Sequence, residues 1–362
     1  MAMNLRTLEA AGLTGRSGSA FSTARKVGAA RQNGAELIVN ACDGEISALK
    51  DAHVIRHRLA WVRHGAALTG LRHVTYAAHT GTETEERLRA AGLSVLPVPA
   101  RYVASEASAL VSLHHGAHAR PMTKRRRLIE GGRTPDGKRT RPVLVLNAET
   151  VLRIAQIEVF GPAWFRSFGT QVEPGPRLIT ITGAVKAPGV YETESGLPLS
   201  RVVSLAGGPL PGVLAMNIGG LSGTWIDASR IDSLNYSSAS LATVGATLGP
   251  GVMHLLDRSR CPVDTVKDML DYAAGESAGQ CGPCMFGLPA VARDFAELAA
   301  GTGRPSAATA LRQRLGFLVG RGACHFPDGI AVFTHSALEV FTDHLSAHAA
   351  GYCPGHESRV RR

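Results

Sequence analysis

The chain is 362 residues long, with 44% hydrophobic, 5% aromatic and 19% charged residues. This length suits two or three units with separate cores, and the apolar content excludes a wholly disordered chain. No apolar run is long enough for a membrane-spanning helix, and the first residues lack the apolar stretch of a secretory signal. Six cysteines are too few for a disulfide scaffold, so we expect an intracellular protein with reduced thiols.

The first 155 residues alternate between strand-like and helix-like patterns. Residues 36–40, 73–78 and 93–98 are short apolar runs typical of buried strands. Residues 50–70 and 83–91 have the composition and spacing of helices. Strands that alternate with helices indicate an α/β domain.

The composition changes in the middle of the chain. Residues 174–211 are rich in turn formers and in β-branched residues, which predicts a hairpin whose turn lies at residues 186–189. From residue 262 to about 350, apolar residues recur at helical spacing. The sequence therefore predicts three units: an α/β unit, a small β-grasp-like module and a helical end.

The net charge of +10 is concentrated in one segment. Residues 120–141 contain nine basic and two acidic residues, and their glycines and prolines predict a loop. This loop has three interpretations: a solvated surface loop, a phosphate-binding loop for a nucleotide, or a nucleic-acid patch. The last lacks interleaved aromatic residues and a known binding module, so we expect no nucleic-acid partner.

Two cysteines form a C-x-x-C motif near the end of the chain. Cys281 and Cys284 lie in ESAGQCGPCMFG, and Cys324 follows in RGACHFPDG. The spacing brings two sulfurs within reach of one metal centre, and it suits zinc, an iron–sulfur cluster or thioredoxin-like chemistry. Its position between helical stretches disfavours the thioredoxin interpretation. Cys42 and Cys261 are predicted to be ordinary packing residues.

Five motifs occur in an order that resembles one known family. They are LTGRSGSAFSTARK (13–26), NACDGE (40–45), RYVASEASAL (101–110), VLNAET (145–150) and ESAGQCGPCMFGLP (276–289). With them, the chain resembles the NADH-binding flavoprotein subunit of respiratory complex I and the related hydrogenase and formate dehydrogenase subunits. The segment ITGAVKAPGVYE is similar to that family's soluble-ligand-binding β-grasp domain.

The resemblance implies an α/β fold class with four segments. They are an N-terminal Rossmann-like domain for FMN and NAD(P)H (1–172), a central β-grasp, soluble-ligand-binding-like domain (173–250), a helical iron–sulfur-binding domain (251–348) and a tail (349–362).

The resemblance also implies an electron-transfer oxidoreductase of the NADH dehydrogenase type. FMN would accept a hydride from NADH or NADPH and pass electrons singly to a [4Fe–4S]-type cluster. The implied catalytic residues are Glu45 and Glu106, and the implied metal ligands are Cys281, Cys284 and Cys324. The implied cofactor-binding residues are Gly15, Arg16, Gly18, Phe21, Thr23, Lys26, Asn40, Asp43, Tyr102, Lys124, Asn147 and Thr150.

The sequence departs from the family at the cluster. Ala278 stands where the family has its first cysteine, which leaves three thiolates. Three outcomes remain open: a different fourth ligand, with His325 or Cys353 as candidates; a labile [4Fe–4S] or a [3Fe–4S] cluster on three cysteines; or an empty site.

The flavin loop and the dinucleotide site depart as well. Ser17, Ala20 and Ala24 replace glycines, and an added Cβ is costly wherever the backbone needs a positive φ. Arginines at 125–127 replace a stretch that contains phenylalanine, and a guanidinium suits a 2′-phosphate, so we hypothesise a preference for NADPH.

Two further hypotheses compete with the oxidoreductase. One is a relay or assembly subunit without tight flavin or dinucleotide binding; the other is a binding module that docks an acidic partner through the basic loop. The expected partners are a ferredoxin, a thioredoxin-like ferredoxin subunit or the subunits of a membrane complex, with a quinone reductase as a further electron acceptor. The expected location is the cytoplasm or the inner face of the membrane.

Overall fold

The computed structural model describes residues 2–18, 20–123, 127–133, 139–303 and 306–353, without the side chains of residues 133 and 139. The predicted cofactor-binding residue Lys124 lies outside the described residues, as do Arg125 and Arg126. The chain divides into two compact units. The first comprises Met1–Gly44, Ala48–Thr180 and Val190–Leu197, and the second comprises Glu45–Ser47, Ile181–Gly189 and Pro198–Arg362.

Helices occur throughout the chain. In chain order they are α1 (Leu5–Ala11), α2 (Thr23–Gln32), α3 (Lys50–Leu68), α4 (Glu83–Ala90), α5 (Ala107–His114), α6 (Ala148–Arg166), α7 (Leu199–Ser204), α8 (Ser238–Ala242), α9 (Pro262–Gly275), α10 (Leu288–Ala299), α11 (Ala307–Gly316), α12 (Phe326–Val340) and α13 (Thr342–Ala349). Short 3₁₀ helices cover Tyr102–Ser105, Leu128–Glu130, Gly220–Ser222 and Ala228–Ser233. A π-helical turn covers Pro283–Gly287.

The strands of the described residues form three sheets. They are β1 (Glu36–Asn40), β2 (Arg72–His79), β3 (Val95–Val98), β4 (Gly132–Arg133), β5 (Arg139–Thr140), β6 (Val143–Asn147), β7 (Pro176–Gly183), β8 (Gly189–Glu194), β9 (Val213–Ile218), β10 (Thr224–Asp227) and β11 (Val252–Asp257). The first sheet has the order β3-β2-β1-β6, and all its pairs are parallel. The second has the order β10-β9-β11-β7-β8, and β4 pairs with β5 alone.

The parallel sheet of the first unit is covered on both faces. Successive residues of β1 point to opposite sides, so Leu37 and Val39 join one buried cluster while Ile38 joins another. The first cluster includes residues of α3 and α6, and the second includes Leu110 and Val111 of α5. A parallel sheet with two covered faces favours strands with consecutive apolar residues, which explains the central Leu37, Ile38 and Val39 of β1.

An aromatic cluster lies in the core of the second unit. Trp225 of β10 is buried, and its ring lies 6.0 Å from that of Phe333 and 5.2 Å from that of Phe341, measured between centroids. Its backbone N–H donates to the hydroxyl of Ser336, at 3.0 Å. These contacts join β10 to α12 and to the residue that follows it.

The structure confirms the predicted α/β class and the strands and helices predicted in the first 155 residues. The described part of the basic segment contains a 3₁₀ turn and the β4–β5 pair. One of its charges has a structural role, because Arg141 pairs with Glu36 at 2.7 Å. The boundaries of the three expected domains stay a prediction. No helix among the described residues combines the length and the hydropathy needed to cross a bilayer.

Candidate functional site

Two asparagines lie side by side at the carboxyl edge of the parallel sheet. Asn40 ends β1, Asn147 ends β6, and the two residues are direct partners in the register. The strand order reverses here, since β2 and β3 lie on one side of β1 and β6 lies on the other. In open α/β sheets, ligands bind in the crevice beside such a reversal. The structure thus brings together two of the predicted cofactor-binding residues.

The glycine-rich segment forms a closed loop between α1 and α2. Gly15 N–H donates to Phe21 O at 3.0 Å, and Thr23 N–H donates to Leu13 O at 2.9 Å. The loop is tied to the start of α6, since Arg16 N–H donates to the Thr150 hydroxyl at 3.0 Å. This bond places the loop beside the asparagine pair.

One replaced glycine in this loop has a strained backbone. Gly18 has φ 99° and Ala20 has φ 46°, both in the left-handed region. Ser17 is not in that region, and Ala24 is an ordinary residue of α2. Of the replaced glycines, Ala20 therefore has the strained backbone, because an alanine there occupies a conformation that glycine adopts without a Cβ clash.

Two basic residues of this motif, Arg16 in the loop and Lys26 in α2, differ in environment. The Arg16 guanidinium is buried, donates to Pro174 O at 2.8 Å and lies 5.7 Å from the centre of the Phe165 ring. The Lys26 ammonium lies 5.7 Å from the centre of the half-exposed Phe21 ring. The Lys26 side chain is thus more accessible to solvent than that of Arg16.

The loop after β1 packs tightly on the turn that contains Tyr102. Asn40 donates from its side-chain amide to Ser105 O at 3.0 Å and accepts from Cys42 N–H at 3.1 Å. Gly44 lies so close that a Cβ there would overlap the Ser105 hydroxyl. The structure therefore brings two more of the predicted segments together.

Glu106, predicted to be catalytic, caps a helix. Its carboxylate accepts hydrogen bonds from Ser108 N–H at 2.7 Å and Ala109 N–H at 3.2 Å, at the start of α5, and another from the Ser108 hydroxyl. These bonds fix the carboxylate at the helix N-terminus, and its catalytic role stays a prediction.

Asp43 caps α3 from a left-handed backbone with φ 46°. Its two oxygens accept from Asp51 N–H at 3.0 Å and Ala52 N–H at 2.7 Å. Burial and the nearby carboxylate of Asp51 raise the pKa of Asp43 to about 7. A carboxyl group with a raised pKa therefore lies near Asp51, which contacts the Asn147 amide.

A buried group of charges supports the asparagine pair from below. Lys50 lies 2.8 Å from Asp51 and 3.2 Å from Glu149, and Asp51 accepts from Glu149 N–H at 2.9 Å. The Asn147 amide lies 3.3 Å from Asp51. Burial would raise the pKa of Glu149, but Lys50, Arg153 and Arg16 outweigh it and lower that pKa. Sequence reasoning missed Glu149 and Arg153 as site residues, although Glu149 lies within the VLNAET motif.

Glu45 belongs to the second unit. Its carboxylate accepts from Leu221 N–H at 2.7 Å and from Ile46 N–H at 3.0 Å. The bond from Leu221 holds the carboxylate at the 3₁₀ turn Gly220–Ser222. The predicted catalytic role of Glu45 stays a prediction.

Cys281 and Cys284 lie together before α10. Their side chains are within hydrogen-bonding reach of each other. Burial raises the pKa of Cys284, although hydrogen bonds from the Ser277 hydroxyl and the Ala278 N–H lower it. The backbone of Ala278 therefore lies beside the sulfur of Cys284, whose role as a metal ligand stays a prediction.

Cys324 lies in the loop before α12. Among the described residues, it does not join Cys281 and Cys284 in a group of ligand atoms that all lie within 4.8 Å of one another. That limit suits a single ion, and a cluster of several irons spaces its thiolates more widely. His325 pairs through Nδ1 with Asp328 at 2.9 Å and is exposed. Cys353, the other candidate for a fourth ligand, lies with Cys261 and His348 instead.

Comparisons with known proteins match three parts of the chain. Residues 8–156 match the family described as the Nuo51 FMN-binding domain, residues 178–218 match the SLBB domain, and residues 264–348 match the NADH-ubiquinone oxidoreductase-F iron-sulfur binding region. These matches coincide with the carboxyl-edge site, the predicted β-grasp hairpin and the C-x-x-C loop.

Several relatives extend over most of the chain. The NADH-quinone oxidoreductase F subunit 2 of Rhizobium meliloti is 31% identical over 70% of this chain and 60% of its own length. The NADH-quinone oxidoreductase F subunit of Streptomyces coelicolor is 28% identical over 95% of this chain and 82% of its own. The NADP-reducing hydrogenase subunit HndC of Solidesulfovibrio fructosivorans is 26% identical over 70% of this chain and 52% of its own.

A solved structure has the same fold. A chain of the NAD⁺-reducing [NiFe]-hydrogenase in its H₂-reduced state matches with a TM-score of 0.84 and 28% identity. The match covers 95% of this chain and 62% of that one. The present chain thus spans about three fifths of the hydrogenase chain and of the Rhizobium relative.

The fold and the matched regions define a class of protein, in which an FMN-binding α/β unit precedes an iron–sulfur binding region. Within that class, the chain is similar to the NADH-quinone oxidoreductase F subunits and to the related hydrogenase subunits. The resemblance inferred from the five motifs is confirmed.

Proposed function

We propose that the chain is an electron-transfer oxidoreductase that carries electrons from a nicotinamide dinucleotide through FMN to an iron–sulfur cluster. The observation that carries this proposal is the register pairing of Asn40 with Asn147 at the carboxyl edge, with the glycine loop tied to Thr150. FMN, when bound, accepts two electrons as a hydride and releases them one at a time.

The glycine loop and the start of α2 fit a flavin phosphate group. The loop of residues 13–23 leads into α2, whose N-terminus favours an anion. Lys26 adds a positive charge near this end. Asn40, Asn147 and Thr150 would position the ring and ribityl chain. The buried charges of Lys50, Asp51 and Glu149 support Asn147 through its contact with Asp51.

The residues around the C-x-x-C motif fit an iron–sulfur cluster in part. Cys281 and Cys284 supply two adjacent sulfurs, and Cys324 is the third proposed ligand. The Ser277 and Ala278 hydrogen bonds to Cys284 offset part of the rise in its pKa that burial causes. With three thiolates, the proposed cluster is a labile [4Fe–4S] or a [3Fe–4S] form.

The proposed dinucleotide is NADH or NADPH, with a preference for NADPH. Arg127 remains from the arginine run as a described and exposed residue, and a guanidinium binds a phosphate through two hydrogen bonds. One relative is named as NADP-reducing, whereas the F subunits are named for NADH and the solved hydrogenase for NAD⁺.

The proposed electron acceptor is a ferredoxin or a thioredoxin-like ferredoxin subunit of the same complex, at the inner face of the membrane. The relatives are named as subunits of a quinone oxidoreductase and of a hydrogenase, which supports assembly with further chains.

Flavin binding tests the proposal. FMN affinity is measured by fluorescence quenching in the wild type, Asn40→Ala and Asn33→Ala. Asn33 is a matched control because its side chain binds only Ala29 O at the end of α2, among the described contacts. We expect tight binding in the wild type and Asn33→Ala, and at least a tenfold loss in Asn40→Ala, equivalent to about 1.4 kcal/mol. Equal affinity in all three proteins, or no FMN binding, would contradict the proposal.

A further inference from the structure

Three potential metal ligands meet at a second place in the helical region. The Cys261 Sγ, one imidazole nitrogen of His348 and the Cys353 Sγ all lie within 4.8 Å of one another. Cys261 Sγ lies 3.2 Å from His348 Nε2. Both cysteines are buried, and His348 is half-buried.

Local structure fixes each of the three side chains. Cys261 is the N-cap of α9, and its sulfur accepts from Asp264 N–H at 3.4 Å. His348 lies in the last turn of α13. After that helix, Gly351 N–H donates to His348 O at 2.9 Å, and this bond turns the chain so that Cys353 returns to the same place.

The imidazole of His348 has the orientation that a metal requires. Its Nδ1 lies 2.6 Å from Ala299 O at the end of α10. A carbonyl oxygen only accepts, so Nδ1 carries the proton and Nε2 of the neutral ring presents its lone pair to Cys261. A hydrogen bond from the second ring nitrogen to a carbonyl is the usual support of a metal-bound histidine.

We propose that Cys261, His348 and Cys353 bind one Zn²⁺ ion. Two thiolates and an imidazole are characteristic zinc ligands, and water fills the fourth tetrahedral position. Zinc–sulfur and zinc–nitrogen bonds of about 2.3 and 2.0–2.1 Å place sulfur and nitrogen about 3.6 Å apart in a tetrahedron. The separation of 3.2 Å between Cys261 and His348 needs little adjustment to reach that value.

The site is independent of the proposed electron pathway. It shares no ligand with the Cys281, Cys284 and Cys324 set. The ion would join the start of α9 to the end of α13, and Cys261 and His348 are 87 positions apart in the chain. Because the unfolded chain lacks the site, zinc binding would stabilise the folded helical region.

Metal analysis of the full chain tests this proposal. Zinc and iron are measured by mass spectrometry after purification without oxygen, in the wild type, Cys353→Ser, His348→Gln, Cys284→Ser and His335→Gln. His335 is a control on α12, where it pairs with Glu339. We expect about one zinc per chain in the wild type, Cys284→Ser and His335→Gln, and at least a fivefold loss in Cys353→Ser and His348→Gln.

A second measurement covers variants that fail to fold. Zinc is removed from the wild type with a chelator, which should lower its Tm. Replacement by Co²⁺ should give thiolate-to-cobalt absorption and restore the Tm. The same cobalt addition to Cys284→Ser should give the same spectrum. Zinc lost only in Cys284→Ser would overturn the proposal, as would a wild type that takes up neither ion or a Cys261–Cys353 disulfide found by thiol counting and peptide mapping.

Discussion

Ala20 occupies a left-handed backbone conformation in the loop between α1 and α2. An L-residue pays about 1 kcal/mol or more for this conformation, whereas glycine adopts it readily. The family pattern has glycine at positions 20 and 24, but only position 20 has the strained φ. The same substitution at the two positions therefore has opposite effects.

Ala20→Gly should raise the free energy of unfolding by about 0.5–1 kcal/mol, because the strain exceeds the entropy cost of the added glycine. Ala24→Gly, inside α2, should lower it by about 1 kcal/mol. Urea denaturation measures both. A loss of stability in Ala20→Gly equal to that in Ala24→Gly would show that the strain is absent.

Asp43 gives a stability that depends on pH. Its pKa is raised to about 7 by burial and by Asp51, whereas the unfolded carboxyl titrates near pH 4. The folded chain therefore binds more protons between these values. This contribution to stability is fully present below about pH 4 and is lost as the pH rises through about 7.

The stability of the wild type relative to Asp43→Asn should therefore fall between about pH 4 and 7, by at most about 1.4 kcal/mol per pH unit, and stay constant above. Urea denaturation of flavin-free protein at several pH values measures this difference. Asp271→Asn, which removes a surface partner of Lys267, is the control and should show no such slope. A flat difference in Asp43→Asn would refute the assignment.

Single-residue detail was only partly predictable. The family resemblance assigned Asn40 and Asn147 to one cofactor site, and the structure pairs the two residues in the register of β1 and β6. The motifs did not reveal that the Arg16 guanidinium binds Pro174 O, since that partner is 158 positions away in the chain. Nor did they reveal that Glu106 caps α5, which depends on where the helix begins.

At the scale of elements, the loop after β1 and the turn Tyr102–Ser105 fit closely. A Cβ at Gly44 would overlap the Ser105 hydroxyl and also lie 3.3 Å from Tyr102 O. Gly275, at the end of α9, is a matched control because a Cβ added there would meet open space.

Gly44→Ala should lower the free energy of unfolding by about 1–3 kcal/mol, while Gly275→Ala should leave it unchanged or slightly higher. Adding Ser105→Gly to Gly44→Ala removes the overlapping atoms and should restore at least about 1 kcal/mol in a double-mutant cycle. Thermal or urea denaturation reads out the cycle. Additive losses in the double variant would mean that the two segments do not touch.

The C-x-x-C loop offers a direct repair of the cluster site. The Ala278 N–H hydrogen-bonds to the Cys284 sulfur, so a side chain at 278 begins near the proposed cluster. Ala278→Cys should raise the iron content toward four per chain and slow cluster loss in air, because it supplies the fourth thiolate. Ala274→Cys adds a thiol to α9 as a control. Iron analysis that gives equal values for the two variants would contradict the three-cysteine site.

The elements themselves were largely predictable, because short apolar runs and helical spacing are local signals. The bounds of β1, α3 and α4 agree with the pattern to within two residues. The break within α6 was not predicted. Gly161 has φ 85° and Pro162 follows it there, so a non-helical step lies inside one long apolar segment.

At the scale of the whole molecule, distant residues decide the sites. Cys261 was predicted to be an ordinary packing residue, yet it meets His348 and Cys353 at the end of the helical region. Spacing rules detect ligands that are neighbours in sequence, and these are not. The strand order, which places β6 beside β1, also depends on long-range pairing that no local pattern contains.

The central claim is that one chain holds both a flavin and a cluster and moves electrons between them. The most direct test is anaerobic mixing of FMN-loaded, iron-reconstituted protein with NADPH or NADH, followed by absorbance and electron paramagnetic resonance. We predict bleaching of the flavin followed by a signal from the reduced cluster, with faster reduction by NADPH. A flavin that stays oxidised with both dinucleotides, or one that is reduced without any cluster signal, would contradict the account.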